Sequence, residues 1–207
     1  MRGDQLADHV VGPNAILQTA EALRAEGGEA LTRHVFASVG LEHLLDHPPA
    51  DMVDQRCAAA LHGAVSRLLP APRAEAVAQD AGARTGAYIL AHRIPARAQT
   101  ILRLLPAVVA GPILLRAIRQ HAWTFAGSGR VSTGSHGGLS LTIADNPLAT
   151  PGCPWHRAVL ETLFSRLVAP DISVSETTCC ARGAAACCFV FRRGGAGASA
   201  PQALAGL

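Results

Sequence analysis

Apolar positions recur at helical spacing through the first two thirds of the chain, then alternate with polar ones in short stretches. PNAILQTAEALRAEGG, from Pro13, reads as a helix that stops at Gly27-Gly28, because proline suits a first turn and glycine an end. EALTRHVFASVG reads as a second helix ending at Gly40. A third, ADMVDQRCAAALHGAVSRLL, follows Pro48-Pro49, with Val53, Cys57, Leu61, Ala64, Val65 and Leu68 at helical spacing. PRAEAVAQDAGARTGAYILAHRI predicts a long helix to about Ile94, ended by Pro95. ARAQTILRLLPAVVAGPILLRAIRQHA predicts another, kinked near Pro106 or Pro112. AWTFAGSG and GGLSLTIADNP then alternate between glycines, as hairpin strands do. CPWHRAVLETLFSRLVA returns to helical period, with Val159, Leu160, Leu163, Phe164 and Leu167 on one face. DISVSETTCC and ACCFVFRR read as two more strands joined by ARGAA. The order predicts an α+β fold, helices packed on an antiparallel sheet of about four strands. The tail from Gly194 is low in complexity and is expected to be disordered.

Composition narrows what such a fold can do. The 207 residues are 49% hydrophobic, enough for one domain with a real core. All 18 basic residues are arginine, which removes a P-loop lysine, a Schiff-base lysine and a lysine base at once. The arginines are spread along the chain and net charge is only +3, so no nucleic-acid footprint stands out. The longest apolar run, Leu104 to Leu115, has two prolines and a glycine and falls short of the roughly 20 residues a membrane span needs. MRGDQLADHV has no signal-peptide core. These features place the chain in the cytosol, where thiols stay reduced and clustered cysteines favour metal over disulfide.

Four of six cysteines stand in SETTCCARGAAACCF, as two adjacent pairs. Cys179 and Cys187 head those pairs, Glu176 precedes them, and Cys153 opens the last helix in GCPWH. Three thiolates and a carboxylate make a closed four-coordinate zinc set. Small buried hydrophobes are the other reading of the same cysteines, and spacing leaves both open. Glu176 and Cys179 have the wrong parity for one face of a flat strand, so a bulge is required between them. Strand alternation places Cys180 and Cys188 on the face opposite their neighbours.

GCPWH followed by SETTCCARGAAACCF, with helices and a strand pair upstream, resembles the 4-vinyl reductase domain family. The resemblance covers residues 20–193, leaving 1–19 as an N-terminal extension and 194–207 as the tail. It implies a fold similar to the vesicle-tethering transport subunits and to phenol-sensing regulator domains, often dimeric, with an apolar cavity. It also implies a structural zinc on Cys153, Glu176, Cys179 and Cys187, with Trp155 and His156 packed around it or hydrogen-bonded behind its ligands. Within the family the stand-alone chain is most similar to the bacteriochlorophyll-biosynthesis members, which implies a place at the photosynthetic membrane's edge.

The family's name implies reduction of a vinyl group, which needs a hydride or electron source. GSGRVSTG lacks the dinucleotide fingerprint, and TGSHGG fails the nucleophile-elbow pattern at Thr133. Iron–sulfur clusters commonly take four thiolates, which Glu176 does not match. The expectation is therefore a carrier of porphyrin or Mg-porphyrin, with no catalytic residue. It would pass the ring to or from the Mg-chelatase large subunit or the Mg-protoporphyrin methyltransferase. A divinyl (proto)chlorophyllide 4-vinyl reductase is the alternative, and a sensor or scaffold for another apolar ligand the second. Arg93, Arg97, Arg103, Arg116 and Arg119 are candidates to meet ring carboxylates. His92 and His121 are candidate axial ligands, and Tyr88, Trp123 and Phe125 candidate stacking surfaces. Each has a plainer reading, as solvated arginine or structural histidine.

Overall fold

The computed structural model describes residues 9–135 and 138–194. The first part of the N-terminal extension and the tail beyond Gly194 lie outside the described residues. The expected α+β architecture is present. A four-stranded antiparallel sheet in the order β3-β4-β6-β5 lies under a layer of helices, with a second, two-stranded antiparallel sheet beside it.

The first two expected helices run end to end as α1 (Asn14–Ala37). Helical dihedrals break between them at Gly27 and Gly28, and Gly28 (φ 71°) takes a left-handed conformation that costs glycine little. A short α2 (His43–Asp46) follows. The third helix, α3 (Gln55–Leu68), starts later than its apolar pattern suggests. Asp54 caps it by accepting the Arg56 N–H at 2.8 Å. Val53 is instead paired, in β2 (Val53–Asp54), with β1 (Val10–Val11), strands too short to leave an alternating pattern. Leu61, Ala64 and Val65 are buried as the pattern requires, while Leu68 is exposed and Leu69 takes the buried place.

α4 (Ala71–His92) packs against α1 and against α8 (Pro154–Leu167). The helix expected from Ala96 onward is two helices, α5 (Ala96–Leu104) and α6 (Ala107–Gln120). The break falls at Pro106: Leu105 is forced into extended backbone (ψ 147°), as the residue before a proline usually is. Pro112 is accommodated inside α6.

AWTFAGSG is not a strand. Trp123–Ala126 forms one helical turn, α7, and the hairpin begins later, with β3 (Arg130–Gly134) paired to β4 (Ser140–Ala144). Phe125 and Ala126 are both buried, which adjacent residues on a flat strand cannot be against one core. Gly127 (φ 54°) then turns the chain out of the helix.

β5 (Ile172–Thr178) and β6 (Ala186–Arg193) complete the sheet, with β6 between β4 and β5. Leu141 and Ile143 of β4, and Cys187, Phe189 and Phe191 of β6, face the core, while residues between them are half exposed. Against that face lies the predicted stripe of α8, with Val159, Leu160, Leu163, Phe164 and Leu167 all buried. Among the described residues no helix is long and apolar enough to cross a membrane.

Candidate metal centre

Three elements bring three sulfur atoms together. Cys153 precedes α8, in a turn closed by its own N–H donating to the Thr150 carbonyl at 2.8 Å. Gly152 (φ 80°) and Cys153 itself (φ 43°) are both left-handed, which swings the chain from the turn into Pro154 at the first position of the helix. Cys187 lies in β6, opposite Ile143 of β4. Cys179 follows β5 and leads into a 3₁₀ turn, Cys180–Arg182, which Gly183 (φ 85°) closes. The required irregularity is present, since the β5–β6 register shifts between Glu176 and Thr178.

Cys153 Sγ lies 3.6 Å from Cys179 Sγ and 3.4 Å from Cys187 Sγ, and all three sulfurs lie within 4.8 Å of one another. Sulfurs on a tetrahedral zinc, at about 2.3 Å each from the metal, stand about 3.8 Å apart. All three cysteines are buried and unpaired as disulfides. Cys187 is surrounded by donors: the Cys153 thiol, the Cys180 N–H at 3.3 Å and Asn146 Nδ2 at 3.4 Å. The Cys153 hydrogen bond, with the Cys180 and Asn146 donors behind it, pulls the Cys187 thiol down to about 5 despite its burial. Cys153, as the donor of that bond and itself desolvated, is pushed far up. One sulfur is thus held ready as a thiolate, the form that ligates metal.

Glu176 stands close by but outside that set of three. Its side chain is 3% exposed, and Oε2 pairs with the Arg182 guanidinium. Oε1 is buried and has no hydrogen-bond partner. A buried carboxylate oxygen without a partner is costly. The donor chemistry of the cluster therefore fits zinc, with three thiols brought together and an unsatisfied carboxylate oxygen nearby to complete four ligands.

The second cysteines of each pair behave differently from their neighbours. Cys188 lies on the other face of β6, where Thr142 Oγ1 donates to its sulfur at 3.6 Å. Cys180 is half buried in the 3₁₀ turn, and desolvation pushes its thiol up. Trp155 and His156 do not bond the cysteines. His156 Nε2 donates to the Phe125 carbonyl at 3.2 Å, and Trp155 packs between His156 and His62 with ring centroids 4.9 and 5.3 Å away. The groups that do touch the sulfurs are Asn146 and the Thr150 carbonyl, which accepts from Cys179 Sγ at 3.3 Å. Neither was among the candidates; the only signal for Asn146 was its place in the turn sequence ADNP, where its Oδ1 accepts the Leu148 N–H.

The ten candidate ligand residues form no single pocket. Tyr88 and His92 meet on the last turns of α4, with ring centroids 4.5 Å apart. Arg93, Arg97, Arg103, Arg116, Arg119 and His121 are exposed along α5, α6 and their ends. Trp123 is exposed and Phe125 buried. A cavity of about 350 Å³ opens elsewhere, between α1, α3, α4 and the start of α8, with Thr19, His62, Val77 and Trp155 in its wall. A groove of about 290 Å³ runs between α6 and the sheet, past Val108, Leu139, Phe191 and Arg192.

Residues 142–193, which contain Cys153, Glu176, Cys179 and Cys187, match the 4-vinyl reductase (V-4-R) domain family. Over nearly its whole length the chain is similar to the bacteriochlorophyll synthase 23 kDa chain of Cereibacter sphaeroides. The two are 42% identical over 197 residues, covering 91% of this chain and 93% of that one. The protein of the same name from Rhodobacter capsulatus is 38% identical over 199 residues, covering 94% of this chain and 92% of its own. At that identity and coverage, this chain belongs to the family of the bacteriochlorophyll synthase 23 kDa chains, which carry the 4-vinyl reductase domain at their C-terminal end.

Proposed function

We propose that this protein takes part in bacteriochlorophyll biosynthesis as a tetrapyrrole-binding accessory protein, built around a structural zinc. The observation that carries the pathway is end-to-end similarity to two proteins named bacteriochlorophyll synthase 23 kDa chain. What supports a structural role for the zinc is the closure of its cluster. Cys153, Cys179 and Cys187 are each at most 1% exposed, which leaves a metal no open position for substrate. Glu176 Oε1 is the fourth ligand in this reading.

The ring is porphyrin or Mg-porphyrin, held by residues of the 20–193 domain. Its carboxylates meet some of Arg93, Arg97, Arg103, Arg116 and Arg119, its face meets Tyr88, Trp123 or Phe125, and His92 or His121 ligates its metal. Residues 1–19 form an extension that packs onto the domain through Val11 and Ile16, both buried. The protein works as a cytoplasmic homodimer at the edge of the photosynthetic membrane. It exchanges the ring with the Mg-chelatase large subunit or the Mg-protoporphyrin methyltransferase. A divinyl (proto)chlorophyllide 4-vinyl reductase is the second reading.

Titration of the purified protein with protoporphyrin and Mg-protoporphyrin, followed by absorbance and fluorescence, tests the first reading. A saturable spectral shift at a stoichiometry near one ring per chain is the expected result. No shift at any concentration overturns it. Loss of the vinyl absorbance signature from divinyl substrate and reduced nicotinamide would establish the second reading instead.

A further inference from the structure

Between Asp80 and Asp145 the chain has seven arginines and no acidic residue. Arg84 and Arg130, at the two ends, pair with Asp80 and Asp145 themselves. The five between them, Arg93, Arg97, Arg103, Arg116 and Arg119, are all exposed, and among the described residues none has a carboxylate within salt-bridge distance. The same segment holds the most exposed apolar side chains of the molecule. Leu104 is 80% and Val108 is 82% exposed, and Ile101, Val109 and Ile113 stand out beside them. They flank the Pro106 break, at the end of α5 and the start of α6.

An isolated exposed leucine needs no explanation, but a contiguous apolar corner ringed by unpaired cations does. We infer that the α5–α6 corner docks the protein on an anionic lipid surface, with Leu104 and Val108 dipped among the acyl chains and the five arginines on the headgroups. Apolar side chains that enter the headgroup boundary and cations that face anionic lipids are the two terms of interfacial binding. Charge complementarity selects this occupant over a second copy of the chain. A two-fold contact through this corner would set the arginines of one copy against those of the other, with no carboxylate in the segment to offset them. The break at Pro106 also suits the role, because it exposes the ends of two helices at a corner instead of laying one flat stripe on the surface.

The test uses the full chain and pigment-free vesicles, so it does not depend on tetrapyrrole binding. Flotation with vesicles of phosphatidylglycerol and phosphatidylcholine is the expected result, with little flotation on phosphatidylcholine alone. Raising salt from about 0.1 M to about 1 M, which shortens the screening length from about 10 to about 3 Å, weakens it. Leu104→Glu combined with Val108→Glu lowers partitioning about tenfold or more, since both apolar contacts are lost and two negative charges face the lipid. Both positions are exposed, so its thermal melt should match the parent's. Arg97→Gln with Arg116→Gln, which leaves the apolar corner intact, reduces the preference for anionic over neutral vesicles. Absence of flotation by the parent protein overturns the inference. So does sedimentation showing a dimer that the Leu104→Glu, Val108→Glu variant splits, because a second copy then covers the corner.

Discussion

Cys153 holds φ 43° and ψ 47°, a backbone that costs a residue with a Cβ about 1–2 kcal/mol. Glycine already occupies the preceding position, so the turn alone does not call for cysteine here. What the strained position gains is a sulfur 3.4–3.6 Å from two others. If a zinc repays the strain, its loss is visible in stability, because metal binding and folding are coupled. Cys179→Ser or Cys187→Ser is expected to abolish stoichiometric zinc and lower the melting temperature by about 10 °C, which in a chain of this size corresponds to about 3–4 kcal/mol. A variant with unchanged melting temperature and no zinc in the parent would reduce the cluster to core packing. Glu176 has its own test. Its Oε2 pairs with Arg182 whereas Oε1 is unpartnered, so loss of the carboxylate should matter beyond loss of the ion pair. Glu176→Ala should weaken zinc retention against a chelator more than Arg182→Ala does, and equal effects would remove Glu176 from the ligand set.

Elements hold the cluster in place through close helix contacts. α4 carries Gly82 and Gly86 one turn apart, both buried against α8. A Cβ on Gly82 would lie 2.3 Å from the Trp155 carbonyl oxygen, and one on Gly86 2.7 Å from Thr162 Cβ. A backbone carbonyl cannot step aside, so Gly82→Ala should separate α4 from the start of α8 and cost about 1–3 kcal/mol. Gly63 of α3 is the contrast: its Cβ would meet only the tip of the Arg67 side chain, which can move. Gly63→Ala should be neutral or stabilise by about 0.5–1 kcal/mol, through helix propensity and a less flexible unfolded chain. Paired thermal melts check the difference, and similar losses in both would show that the α4–α8 contact tolerates the insertion. The sequence made part of this level legible. Parity between Glu176 and Cys179 demanded a bulge and the β5–β6 register contains one. The apolar stripe of α8 and the proline break were readable because periodicity and missing N–H groups are local properties. α7 was not, since Trp123 and Phe125 alternate in sequence while tertiary contact buries Phe125 and Ala126 together. Asn146 was not either, because only the fold brings it 41 positions along to Cys187.

At the scale of the whole molecule, acid sensitivity is built into the core behind the cluster. His62 bonds the Ala15 carbonyl at 3.1 Å and His156 the Phe125 carbonyl at 3.2 Å, and Trp155 packs against both rings. Burial lowers His62 to about 4 and His156 to about 3, the second also through the first. The unfolded chain protonates both near 6.5, so between about pH 6.5 and 4 it binds more protons than the folded one, and stability falls as pH falls through that window. Above pH 6.5 both states hold neutral rings and the contribution is flat. Over the 1.5 units from 6.5 to 5 each histidine withdraws about 2 kcal/mol, so the pair removes about 4 kcal/mol from a stability of about 5–15 kcal/mol. Thermal melts between pH 7.5 and 5 should show a corresponding drop in melting temperature. Acid also protonates the thiolates and releases any metal, so the melts alone do not separate the two causes. Imidazole resonances do: His62 and His156 should remain neutral down to pH 5 in the folded protein. Protonation of either ring above pH 6 without unfolding would mean that the helices around Trp155 admit water, and that the acid lability comes from the cysteine cluster alone.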